Sequence, residues 1–113
     1  MPGISIHVVD VAHGVPGTGM RVDLLRDATV LVTGVIDLRG LLDDHRLNAR
    51  FEPGSFEARF HVAEYYCGRG LSLPEPPFLD VVPYCFGLAF ADQHYHLPFK
   101  MTPWGYSCFR GGA

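Results

Sequence analysis

The sequence predicts a mainly β protein: a sandwich of seven or eight short strands carrying one short helix. Three observations carry that expectation. Apolar side chains recur at every second position in several separate stretches, clusters of Gly, Pro and Asp divide those stretches, and only one segment reads as a helix. With 113 residues the chain forms a single domain, residues 1–113, and buries roughly two-thirds of its unfolded surface.

Residues 4–9 alternate as a first strand, with Ile4, Ile6 and Val8 on one face and His7 on the other. Residues 10–19, rich in glycine, form a loop. Residues 20–25 and 29–36 read as two strands joined by a hairpin turn at Asp27-Ala28. From residue 37 to 53 neither period is sustained, so this part reads as loops with at most one short strand at residues 49–51. Residues 55–62 alternate cleanly with Phe56, Ala58, Phe60 and Val62 inward, and a helix over 63–67 follows, closed by Gly68. After an extended, proline-rich connector at 71–77, residues 78–89 form another strand. The last two strands flank the turn Thr102-Pro103-Trp104-Gly105. Tyr95, Leu97 and Phe99 make the apolar face of the first, and His94 and His96 project together from its other face. On the second, Tyr106, Cys108 and Arg110 share one face, with Ser107 and Phe109 opposite, and Arg110 falls close to the terminal carboxylate.

The composition is that of a globular protein, 48% apolar and 19% charged, with a formal net charge of −3. Mild acidity gives no footprint for nucleic acid or an anionic membrane. All but one of the nine basic residues are arginine, suited to planar oxygen-rich groups. Cys67, Cys85 and Cys108 form no Cys-x-x-Cys spacing and no disulfide framework, which fits a reducing compartment. With no basic, apolar leader at residues 1–7, the expected location is the cytoplasm.

His94 and His96, at i and i+2 on a strand, have a zinc-ligand spacing that His7 would extend. The alternative uses one histidine as a general base in its natural titration range, and no cysteine or carboxylate pair converges in sequence to complete a metal set. His7 reads most simply as solvated. A functional His7 requires its sheet face to be covered by another subunit, so that it lines a cleft with His96. Cys108 reads as a buried, inert thiol, and Ser107 lies outside any Gly-x-Ser-x-Gly elbow.

Several stretches together resemble the transthyretin-like 5-hydroxyisourate hydrolases. They are Ile6-His7-Val8-Val9-Asp10 before its glycine-rich loop, Phe60-His61-Val62-Ala63-Glu64-Tyr65-Tyr66, Leu73-Pro74-Glu75-Pro76-Pro77-Phe78-Leu79-Asp80, His94-Tyr95-His96-Leu97-Pro98, and the closing Trp104-Gly105-Tyr106-Ser107-Cys108-Phe109-Arg110-Gly111-Gly112. The resemblance implies a transthyretin-like two-sheet sandwich of about eight strands with one short helix, assembled as a homotetramer with active sites between paired dimers. It implies hydrolysis of 5-hydroxyisourate to 2-oxo-4-hydroxy-4-carboxy-5-ureidoimidazoline in urate catabolism, with a histidine base, arginine stabilisation, and no metal or cofactor. By motif, the implied catalytic residues are His7, Arg39 and His96, with Arg46 as the fallback for Arg39. Phe109, Arg110, Gly111 and Gly112 fall on the implied substrate-binding segment. The family closes on Tyr-Arg-Gly-Ser, and here both hydroxyls are absent. If the phenol contacts substrate or water, the chain is a weaker hydrolase or acts on another cyclic amide. A transthyretin-type carrier of an apolar ligand has no use for two imidazoles and a guanidinium in its channel.

Overall fold

The computed structural model describes residues 2–112, so the expected proximity of Arg110 to the terminal carboxylate of Ala113 lies outside the described residues. The strands are β1 (Gly3–Asp10), β2 (Val15–Pro16), β3 (Arg21–Arg26), β4 (Thr29–Val35), β5 (Gly54–His61), β6 (Val81–Leu88), β7 (His94–Thr102) and β8 (Gly105–Cys108), with one α-helix, α1 (Val62–Gly68), between β5 and β6. They form two four-stranded sheets, β2-β1-β7-β8 and β4-β3-β5-β6. The second sheet is antiparallel throughout. The first contains one parallel pair, β1 with β7, in a register running from Gly3↔His94 to Asp10↔Met101.

Alternation decides which face of each strand is buried. Ile4, Ile6 and Val8 from β1 and Tyr95, Leu97 and Phe99 from β7 meet Val22, Leu24, Phe56, Ala58 and Phe60 of the other sheet. The stacked rings of Phe60 and Phe99, with centroids 3.9 Å apart, tie the two layers together. The β3–β4 turn places both Asp27 and Ala28 in the left-handed region (φ 48° and 64°), the geometry that matches the twist of a two-residue hairpin.

Residues 49–51 form no strand. Asp44 caps a 3-10 turn, His45–Asn48, by accepting a hydrogen bond from the Arg46 amide, and buried Leu47 plugs this turn into the core. The strand expected to begin at residue 78 begins at Val81, because the proline-rich connector keeps Phe78 exposed and outside the ladder. Among the described residues, no helix is long and apolar enough to cross a membrane.

At the end of β1, Asp10 is fully buried. Its carboxylate accepts from the Tyr65 and Tyr66 hydroxyls (2.8 and 2.7 Å), from the His13 ring at 2.6 Å and from the His13 amide. One charge thereby joins β1, the following loop and α1. Burial alone would raise the carboxyl, but the bonds from Tyr66, His13 and Tyr65 outweigh it and hold the group below its ordinary value. Burial first, and then the bond to Asp10, pushes the Tyr65 phenol up to about 12. A carboxyl with a lowered folded value contributes stability above its unfolded value and loses that contribution as pH falls through the folded one. Asp10→Ala, which strands the buried Tyr65 hydroxyl and leaves that of Tyr66 only the Met101 carbonyl, should therefore lower the free energy of unfolding by about 3 kcal/mol at neutral pH. Urea titrations should show the gap to wild type narrowing below pH 3.8. A gap that is constant with pH would mean the carboxylate charge contributes nothing.

Candidate active site

The parallel register of β1 and β7 builds a polar face on the outside of the first sheet. With Ile4, Ile6 and Val8 inward, Ser5 and His7 project outward, and β7 presents His94, His96 and Pro98 beside them. Ser5 stands opposite His96, and His7 opposite Pro98. The Ser5 hydroxyl lies 2.7 Å from Nε2 of His94 and 2.6 Å from Nδ1 of His96. Burial, and then the neighbouring His7 and His94, push the His96 imidazole below its ordinary value of 6.5, so its neutral form persists into mildly acidic solution.

The loop after β4 docks against His7. Val8 donates to the Gly40 carbonyl (2.8 Å), Leu42 donates to the Ile6 carbonyl (3.1 Å), and Leu41 pairs with His7. Gly40 is left-handed at φ +87°, and a Cβ there would stand 2.8 Å from Nε2 of His7, so only glycine lets the loop approach this closely. Nε2 of His7 lies 3.2 Å from the Arg39 carbonyl. A carbonyl only accepts, so Nε2 carries the hydrogen and Nδ1 keeps its lone pair. No buried side-chain nitrogen lacks a partner among the described residues, so Nδ1, which has no protein partner there, is open to solvent.

Arg39 is two-thirds exposed, and its guanidinium is held by Asp37 at 2.9 Å and Asp43 at 3.6 Å. The Leu41 amide and the Arg39 guanidinium hold Asp37 below the usual carboxylate range. A cavity of about 100 Å³ lies here, with Ser5, Arg39, Leu41 and Asp43 in its lining. Arg46 has no part in it: its guanidinium is paired with Asp44 at 2.6 Å, on the 3-10 turn. A wider groove of about 350 Å³ on the other sheet is lined by Phe56, Glu57, Cys85 and Phe86 among others, without histidine or arginine. It offers no imidazole to take up a proton near neutral pH.

The closing segment divides. Gly111 donates to the His96 carbonyl at 2.7 Å, and a Cβ on it would meet the His96 ring at 2.9 Å and Pro98 at 3.1 Å. Gly112 follows, exposed. Phe109 is partly exposed on the outer face, with the Lys100 ammonium 5.8 Å from its ring centroid. Arg110, which falls on the implied substrate-binding segment, does not direct its side chain to the two imidazoles. The guanidinium stacks 3.9 Å over Tyr95, a residue of the inward face, and donates to Gln93 and the His94 carbonyl. Burial pushes the Cys108 thiol up to about 11, which suits an inert role. Among the described residues, no three His, Cys, Asp or Glu side chains are grouped to hold a metal ion.

Ser5 was not singled out in the sequence, although it lies two residues before His7 and shares its outward face. The period that exposes one exposes the other.

A two-sheet sandwich with a histidine-rich outer face defines a protein of the transthyretin type. The HIUase/Transthyretin family pattern matches residues 4–111, and the chain belongs to that family. It is 40% identical over 116 aligned residues to the 5-hydroxyisourate hydrolase of Pseudomonas aeruginosa, covering 98% of this chain and 92% of that one. It is 41% identical over 113 residues to 5-hydroxyisourate hydrolase 2 of Rhizobium meliloti, covering 96% and 94%. Among solved structures, (S)-allantoin synthase superposes with a TM-score of 0.89 at 31% identity; the match covers 97% of this chain and 43% of that one.

The tight seat of Gly111 gives a test of the site's packing. Gly111→Ala should leave the circular dichroism spectrum unchanged while shifting the His96 ring resonances, because the methyl group must displace either the imidazole or the tail. Unchanged ring resonances would mean that the tail yields and does not position His96.

Proposed function

We propose that this protein hydrolyses 5-hydroxyisourate, opening its six-membered ring. What supports the reading, beside the relatives' names, is the meeting of His7 and His96 on one open sheet face with the Arg39 loop docked onto His7. His96, neutral near pH 7, accepts a proton from water through Nε2, and the electron pair left on oxygen attacks the ring carbonyl. The lone pair on Nδ1 of His7 orients that water. Arg39 turns from Asp37 and Asp43 to the planar urea-like edge of the substrate and stabilises the oxyanion. The imidazolium of His96 then returns its proton to the leaving ring nitrogen. Hydrolase chemistry of this kind needs no metal or cofactor. Phe109, Gly111 and Gly112 border the substrate, and Arg110 acts from behind by holding their backbone.

Water must be kept from the face except where it reacts. We place this sheet face against other copies of the chain in a homotetramer, consistent with the exposed Leu38 and Phe109 around it. A cytoplasmic location belongs to the same proposal. One observation favours a second reading: Phe109 offers a ring where the family closes on a phenol, which suits a cyclic ureide or amide other than 5-hydroxyisourate.

The assay generates 5-hydroxyisourate from urate in place and follows its absorbance decay against the spontaneous rate. Acceleration is expected, and none from folded protein would overturn the first reading in favour of the second. His7→Ala and His96→Ala should each lower kcat/KM by about a hundredfold with fold and assembly kept. A proton acceptor works above its own pKa and fails as pH falls through it. Because that of His96 is lowered, the acid limb of kcat/KM should lie below pH 6.5. A limb above 6.5 would exclude His96 as the base.

A further inference from the structure

The hydroxyl of Ser5 sits between two imidazole nitrogens, 2.7 Å from Nε2 of His94 and 2.6 Å from Nδ1 of His96. It has one hydrogen to give. When both rings are neutral and that hydrogen lies between them, it donates to one nitrogen, and the other nitrogen carries a hydrogen and donates to the oxygen. The states of the two rings are therefore coupled, and with the hydroxyl hydrogen shared between the rings two arrangements satisfy both short contacts. In one, His96 keeps its hydrogen on Nδ1 and leaves Nε2 as a bare base. In the other, His96 carries its hydrogen on Nε2 and is only a donor toward the open face.

We propose that Ser5 is a positioning residue that selects the first arrangement: Nδ1–H of His96 donates to the Ser5 oxygen, and the Ser5 hydroxyl donates to Nε2 of His94. The inference rests on the reading of His96 as the base that accepts the proton of water. Ser5 is the hydrogen-bond partner of Nδ1 of His96, so the direction in which its hydroxyl donates sets which nitrogen of that ring is free. When Nε2 takes the water proton, the Ser5 oxygen still accepts from Nδ1–H and so supports the imidazolium. The water oxygen keeps the electron pair and forms the new bond to the carbonyl carbon. Ser5 itself exchanges no proton with substrate.

The backbone makes this arrangement durable. Ser5 and His96 are directly opposed in the parallel pair, and their neighbours Ile4, Ile6, Tyr95 and Leu97 are buried, so neither strand can rotate its outward residue away. His94 lies two residues back on the same face, its carbonyl held by Arg110.

The test is the ring nitrogen spectrum of 15N-labelled protein at pH 7.5, read without substrate, alongside steady-state kinetics. Wild type should show His96 protonated on Nδ1. Ser5→Ala should move it toward the Nε2–H form and lower kcat by at least about tenfold with little change in KM. Ser5→Thr, which keeps the hydroxyl, should restore both. His94→Ala leaves β1 untouched and frees the Ser5 hydroxyl to turn onto Nδ1 of His96, so the same change of tautomer is expected there, and this variant decides the matter if Ser5→Ala does not fold. His96 protonated on Nε2 in wild type, or unmoved on Nδ1 in the variants, overturns the proposal. Because the spectrum needs no turnover, a wild-type protein inert toward 5-hydroxyisourate would remove the proposed function while the nitrogen signals still judged Ser5.

Discussion

The parallel pairing of β1 with β7 is the constraint on which the remaining geometry depends. The strands are about ninety residues apart in sequence, and all eight residues of β1 are matched. A slip of one residue would turn Ile4, Ile6 and Val8 to solvent and drive Ser5 and His7 into the core, so burial on the inside fixes register on the outside. The positions of His7 and His96 are thus consequences of packing around Phe99 and Phe60. Functional side chains on a sheet face inherit the rigidity of the opposite face, and here that face is fully buried.

Asp10 closes the same strand pair at its far end. Parallel strands need a long connection, and this one includes α1, whose Tyr65 and Tyr66 return to the last residue of β1. Tyr66 also donates to the Met101 carbonyl, the β7 partner of Asp10, so one ring spans both strands of the pair. An apolar residue at position 10 would pack, but it would not specify which hydroxyls meet it. The buried charge does, at the cost of desolvation that the donors offset.

Period-two alternation made most strands legible, because a half-buried strand writes its burial into every second residue. His7, His94 and His96 were placed on exposed faces by that rule alone, and resemblance to the family supplied Arg39. Two things were not legible. The parallel register is a tertiary choice that no local pattern encodes, so Ser5 could not be set against His96. The 3-10 turn at His45–Asn48 is too short to show a period, and its one buried residue, Leu47, gives no signal. Arg110 lies past the end of β8, where alternation still puts it on the Tyr106 face, while the resemblance puts it on a substrate-binding segment. Its guanidinium follows alternation and packs inward on Tyr95.

That inward turn changes how the altered closing segment is to be understood. The segment is held by Arg110 over Tyr95, by Gln93, and by the Gly111 amide on the His96 carbonyl. None of these contacts uses a side-chain hydroxyl at position 109 or 112. Replacing phenol and serine hydroxyl by Phe109 and Gly112 therefore leaves the attachment of the tail intact and removes only what those groups would offer a ligand. Glycine at 111 serves the same end, since any side chain would collide with the imidazole it covers. The contacts that fix the tail are thus made by Arg110 and by backbone atoms, whatever side chains stand at positions 109 and 112.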